Sequence, residues 1–310
     1  MPKVLVIRGG AIGDFILTLP AIKLLRDNIP GASIEVLGYQ PITELAVAGG
    51  IADSTRHLEH ASMAKLFVPG AVLDQALIDY FRGFNLVVSY LYDPDGYFRG
   101  NMERIGVKIF LEASHRVEPG LGHAAIQLAR PLERIAMWLE NPAPKLELVA
   151  PASVQSDRPL IVVHPGSGSL KKCLPVAHWE RFGREFQDIL PSHRLVLITG
   201  EAELERGVTS AMKAAWAGTD YLHWDQLPLT ELASRLKNCS GFIGHDSGIS
   251  HLAAACDVPC LLFFGPTDPA TWAPQNERVS LSVEESGDLS AVPFEILLRN
   301  ALRFARSLSR

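Results

Sequence analysis

The most constraining feature of the chain is a short apolar run that passes at once through a glycine-rich turn into an amphipathic stretch, and it occurs twice. Residues 4–8 lead into Gly9-Gly10-Ala11-Ile12-Gly13-Asp14. Residues 160–164 lead into Pro165-Gly166-Ser167-Gly168-Ser169. A strand that is apolar on both faces is buried on both faces, which is the condition of a parallel sheet covered by helices. Each half therefore starts as an α/β unit of its own.

The alternation continues from both starts. Residues 14–28 predict a helix, 33–37 a strand, 73–82 a helix, 86–90 a strand and 122–139 a long helix. In the second half, 160–164, 195–199, 241–244 and 259–264 read as strands, and 176–189, 204–217, 229–238 and 248–256 as helices. A loose, polar stretch at 151–159 serves as linker. The expectation is two Rossmann-like domains with parallel sheets facing across a cleft, 1–153 and 154–292, then an amphipathic helix over 293–310. A length of 310 residues suits two domains. In the last helix Phe294, Ile296, Leu297, Ala301 and Phe304 share a face, with Arg299, Arg303 and Arg306 elsewhere. A helix packed on the core with a solvated basic face is the simpler reading, although such helices also lie on membranes.

Composition narrows the functional classes. Hydrophobic residues make up 47% and charged residues 20%, which excludes wholesale disorder. The net charge of −5 lacks the basic surplus of a chain whose main task is gripping nucleic acid. The apolar run at 4–7 is stopped by Arg8 and two glycines, too early for a signal peptide, and no stretch approaches the ~18 apolar residues of a spanning helix. The expectation is a soluble, cytoplasmic protein with at most peripheral membrane contact. The cysteines, Cys173, Cys239, Cys256 and Cys260, form no C-x-x-C pair and read as free thiols, with no metal site.

Three strand-end loops can carry chemistry. In the first, Asp14 lies in the opening turn of a helix, where it either neutralises the helix dipole or offers a carboxylate that accepts a proton from a hydroxyl. The glycines resemble a dinucleotide fingerprint, but Arg8 stands at the first glycine position and the second strand ends at Leu37-Gly38 without an acid. In the second, Gly166, Ser167, Gly168 and Ser169, with Lys171 and Lys172, combine close backbone approach, hydroxyl donors and positive charge, a set suited to a diphosphate. In the third, His245-Asp246-Ser247-Gly248-Ile249-Ser250-His251 lies between a strand and a helix, followed by the turn Gly265-Pro266-Thr267-Asp268-Pro269. Asp246 or Ser247 can act as helix cap, but the C-terminal ends of parallel strands are also where open α/β sheets bind ligands. Asp93-Pro94-Asp95 reads as a turn, with a metal-binding D-x-D as the rival.

Taken together these segments resemble glycosyltransferase family 9, the ADP-heptose:lipopolysaccharide heptosyltransferases and their relatives. Gly13-Asp14 with Thr18-Leu19-Pro20-Ala21, His164-Pro165-Gly166-Ser167-Gly168 with Lys172-Cys173-Leu174-Pro175, and Asp246 to His251 with Gly265 to Pro269 are similar to that family's blocks, in order. Leu174 stands where the family has tryptophan. The resemblance implies a GT-B fold, with the acceptor on the N-terminal domain, Gly13 included, and the nucleotide-sugar donor on the C-terminal one. It implies inverting, metal-independent transfer of a sugar, heptose from ADP-heptose foremost, to a lipopolysaccharide-core-type or lipid-linked glycan, with no cofactor. By position it makes Asp14 the general base, Lys172 the donor-phosphate lysine, and Asp246, Ser247, Gly248 and His251 the donor-sugar loop. It also implies an acid for the nucleotide ribose, for which Glu203 is chosen from Glu201, Glu203 and Glu205. On this reading Asp14 and Asp246 open onto one cleft. The alternatives are an NAD(P)-dependent oxidoreductase and a non-catalytic sugar-nucleotide binding protein on the same fold class.

Overall fold

The computed structural model describes residues 1–58, 61–148 and 156–308, with 61 and 62 described in their backbone alone. The chain divides into two compact units, Met1–Glu147 and Leu148–Arg310. The boundary expected between 153 and 154 lies outside the described residues.

The first unit contains β1 (Lys3–Arg8), α1 (Ile12–Asn28), β2 (Ser33–Gly38), α2 (Gln40–Ala48), β3 (Ser54–His57), α3 (Ala61–Ala64), α4 (Gln75–Arg82), β4 (Leu86–Ser89), α5 (Tyr97–Ile105), β5 (Phe110–Glu112) and α6 (Ala124–Ala129). Its sheet is parallel throughout, in the order β3-β2-β1-β4-β5. β1 is central because Val4 to Ile7 are apolar on both faces and all are buried. Leu5, Ile7, Leu37, Val87, Phe81, Phe98 and Met102 share one core on a single side of this sheet. The strand order reverses between β1 and β4. Open α/β sheets bind their ligands beyond the strand ends at such a reversal.

The long helix expected over 122–139 is not continuous. α6 ends at Ala129 and gives way to a 3-10 turn, Arg130–Ile135, closed by Ala136 at φ 60. Pro131 has no N–H to donate to the turn before it, which weakens the α-helical ladder at this point.

The second unit contains β6 (Leu160–Val163), α7 (Val176–Ile189), β7 (Arg194–Thr199), α8 (Glu201–Glu205), α9 (Val208–Ala215), β8 (Tyr221–Asp225), α10 (Leu229–Leu236), β9 (Gly241–His245), α11 (Gly248–Ala255), β10 (Cys260–Phe264), α12 (Pro269–Trp272), β11 (Val279–Val283) and α13 (Phe294–Leu308). Its parallel sheet runs β11-β10-β9-β6-β7-β8. Read from the other edge, this is the dinucleotide-fold order, with its reversal between β6 and β9. The single helix expected over 204–217 is broken at Gly207, whose φ of 73 suits glycine and stops the helical ladder. α13 is the packed helix that its pattern predicts. Phe294, Leu297, Ala301, Phe304 and Ala305 are buried in the unit's core against Trp179, Phe182 and Trp216, while Arg299, Arg303 and Arg306 face solvent. Each large side chain buried there contributes about 1.5–3 kcal/mol. Among the described residues no helix is long and apolar enough to cross a membrane.

Candidate active site

In the first unit the β1–α1 turn stands at the sheet's reversal point. Gly10 adopts φ 104, a conformation that only glycine takes readily, and this swings the chain from strand into helix. Asp14 then occupies the first turn of α1. Its carboxylate accepts the Ala11 N–H at 3.3 Å, and its carbonyl accepts the Thr18 hydroxyl at 2.8 Å. The side chain is 39% exposed, so one end of the carboxylate stays available to a hydroxyl. Arg8 explains why the dinucleotide fingerprint is broken. It is buried, its guanidinium lies 4.0 Å from Asp14 Oδ1, and it covers the Tyr90 ring at 5.3 Å, bridging the ends of β1 and β4. Burial lowers its pKa, opposed by Asp14 and Tyr90. Gly13 sits half-buried beside Asp14 in the same turn.

In the second unit, loops at the β6, β9 and β10 ends converge on Asp246. Lys172 Nζ lies 2.6 Å from Asp246 Oδ2, and the Thr267 hydroxyl donates to the same oxygen at 2.7 Å. His251 Nε2 stands 3.9 Å from Asp246 Oδ1. The Ser167 hydroxyl donates to the Asp246 carbonyl at 2.7 Å, tying the glycine-rich loop to the end of β9. Ser247 caps α11 by accepting the Ser250 N–H at 3.3 Å, and Gly248 opens that helix. Lys171 is exposed beside Lys172, while Gly168 and Ser169 form the open lip of the loop.

His245, the first residue of the third segment, is fully buried at the end of β9. Its Nε2 accepts the Leu174 N–H at 2.9 Å, which places the ring proton on Nδ1, 3.4 Å from the Gly166 carbonyl oxygen. One neutral ring therefore holds both ends of the 166–174 segment. Burial, reinforced by His164 and opposed by the Gly166 carbonyl and Asp246, pushes its pKa down to about 3. Arg206 lies outside the three segments that the sequence singles out. Leu174, at the family's tryptophan position, points into the core and is 1% exposed.

Glu203, the acid chosen for the ribose, lies in the first turn of α8. It is 5% exposed and folded beneath the loop, with Oε2 accepting the Gly200 N–H at 2.9 Å and lying 3.7 Å from His164 Nε2. A β-carbon at Gly166 would overlap its carboxylate. Burial raises its pKa, but His164 and the Gly200 N–H outweigh this and hold the group at about 2. Glu201 and Glu205 are the exposed acids of α8. Asp93 accepts the N–H groups of Phe98 and Arg99 at 3.1 and 2.9 Å, so the D-x-D segment is a turn that caps α5. Among the described residues no three His, Cys, Asp or Glu side chains are grouped to hold a metal ion.

A sequence model described as glycosyltransferase family 9 (heptosyltransferase) matches residues 122–291. The chain belongs to glycosyltransferase family 9. Lipopolysaccharide heptosyltransferase 1 of Pseudomonas aeruginosa is 30% identical over 154 residues, covering 48% of this chain and 41% of that protein. The matched stretches span less than half the length of the curated relatives. Among solved structures, a family 9 glycosyl transferase from Veillonella parvula superposes with a TM-score of 0.78 at 16% identity, covering 99% of this chain and 97% of the other. An E. coli heptosyltransferase solved with ADP superposes with a TM-score of 0.74 at 15% identity, covering 97% and 99%. The family 9 chain thus has the GT-B fold, built of two Rossmann-like units.

Proposed function

We propose that this family 9 chain is an inverting, metal-independent glycosyltransferase that moves heptose from ADP-heptose onto a lipopolysaccharide-core-type acceptor. The observation that carries the proposal is the convergence on Asp246, at the reversal point of the second sheet, of a lysine, a hydroxyl and a glycine-rich loop. That combination offers a cation and backbone donors to a diphosphate and a carboxylate to sugar hydroxyls. The ADP bound by the E. coli relative supports adenine as the base.

In the proposed reaction Asp14 takes the proton of the acceptor hydroxyl. The acceptor oxygen forms a bond to the anomeric carbon as the bond from that carbon to the diphosphate oxygen breaks, and ADP departs on the opposite face. Inversion follows from this in-line geometry. The negative charge growing on the leaving diphosphate needs stabilisation. Lys172 and the N–H groups of the 166–169 loop supply it without a metal or cofactor. Asp246, with Ser247, Gly248 and His251, orients the donor sugar. Gly13 lets the acceptor approach Asp14, and Glu203 at the start of α8 meets the ribose. The reaction takes place in the cytoplasm, where the acceptor brings the protein at most to the membrane's inner face.

A thermal-shift panel of nucleotide sugars tests the donor assignment. A ligand at 100 times its Kd adds about 2.7 kcal/mol to stability. ADP-heptose should raise the melting temperature, and UDP- and GDP-sugars should leave it near the unliganded value. Stabilisation by UDP- or GDP-sugars alone would overturn the assignment.

A further inference from the structure

We infer that Arg206 is a positioning residue that shapes the donor-diphosphate loop by holding its carbonyl groups, an inference that rests on the donor reading of that loop. Arg206 follows α8 directly and is exposed as a whole residue. Its Nη1 donates to the Ser167 carbonyl at 2.7 Å and its Nη2 to the Gly168 carbonyl at 3.3 Å. One planar fork thus gathers two successive carbonyl oxygens on one side of the loop.

Peptide planarity then fixes what lies on the other side. In a trans peptide the N–H points away from the C=O of the same unit. The N–H of Gly168 shares its plane with the Ser167 carbonyl, and the N–H of Ser169 with the Gly168 carbonyl. Both N–H groups are therefore turned away from Arg206. Among the described residues neither donates to any protein acceptor. The space where a Gly168 side chain would stand is open. Two adjacent N–H groups facing an open space form a concavity that takes anionic oxygens. Ser167 is anchored from the opposite direction through its hydroxyl to the Asp246 carbonyl, so the loop is held between β9 and α8. Arg206 contributes to this concavity through the carbonyls, which a general positive charge nearby would not reproduce.

The test measures binding of ADP and of inorganic pyrophosphate to the full chain by calorimetry, with Arg206→Met and Arg206→Lys beside the unaltered protein. Arg206→Met should weaken both ligands about tenfold while the melting temperature stays unchanged. Arg206→Lys, a point charge without the fork, should remain weak. In nitrogen-proton correlation spectra, pyrophosphate should move the Gly168 and Ser169 amide protons strongly downfield in the unaltered protein, and Arg206→Met should abolish this movement. Undiminished binding by Arg206→Met, full recovery by Arg206→Lys, or stationary Gly168 and Ser169 amides would overturn the assignment while the donor reading stands. If the unaltered protein binds neither ADP nor pyrophosphate, both fall together.

Discussion

Lys172 Nζ and Asp246 Oδ2 are 2.6 Å apart, and Thr267 donates to the same carboxylate oxygen from the neighbouring strand end. The cation proposed for the diphosphate is thus paired with the acid proposed for the sugar, and Thr267 helps to orient that acid. Lys172→Ala is expected to weaken ADP binding by about 1.5–3 kcal/mol, the range for hydrogen bonds to charged groups. Calorimetry with ADP reads this directly, and an unchanged Kd would remove Lys172 from the site.

The contact of Gly166 with Glu203 predicts a coupled pair of substitutions. Gly166→Ala should destabilise the chain by about 1–3 kcal/mol, because the new methyl displaces a buried carboxylate that is hydrogen-bonded to Gly200. In a Glu203→Ala background the added cost of Gly166→Ala should largely vanish. Denaturant unfolding of the four proteins of this cycle measures the coupling, and simple additivity would contradict it.

How far the sequence reveals this site depends on distance along the chain. Lys172 and Asp246 are visible because each lies in a loop that follows an apolar strand, where the pattern itself marks the ligand side of a sheet. Arg206 is not, since it acts on a loop brought to it only by folding; His245 and Thr267 lie in strand-end segments, but their contacts with Leu174, Gly166 and Asp246 exist only in the folded chain. Arg8 did leave a signal, the missing first glycine, but its bond to Asp14 and its cover over Tyr90 require the third dimension. In the fold, the four strands that the pattern does not mark, β3, β5, β8 and β11, are the edge strands of the two sheets, and none carries the continuous apolar run of the inner strands. Pro131 was a readable warning against a continuous helix over 122–139. Nothing in Glu-Ala-Glu-Leu-Glu shows that Glu203 is the acid of the three that turns inward.

His245 sets an acid limit on stability. Its pKa is held near 3, below the ordinary value of 6.5, so between these values the unfolded chain binds the proton and the folded chain does not. Its contribution is therefore complete above about pH 6.5 and declines as the pH falls toward 3. The slope from this one group approaches about 1.4 kcal/mol per pH unit. His245→Gln, which keeps an acceptor and a donor but does not titrate, should fold less stably at pH 7 and lose less stability between pH 6 and 4. Unfolding free energies across this range check the difference in slope. Parallel curves for the two proteins would show that His245 is not held neutral.

Asp14 as the base of a heptosyl transfer is tested most directly by turnover of ADP-heptose onto heptose-free lipopolysaccharide core by the unaltered chain and by Asp14→Asn, with chelator present. The unaltered chain should add the mass of one heptose to the acceptor. Asp14→Asn should bind ADP with unchanged affinity but turn over at least about a hundredfold more slowly. Near-normal turnover by Asp14→Asn, or activity in the unaltered chain that the chelator abolishes, would contradict the proposed reaction.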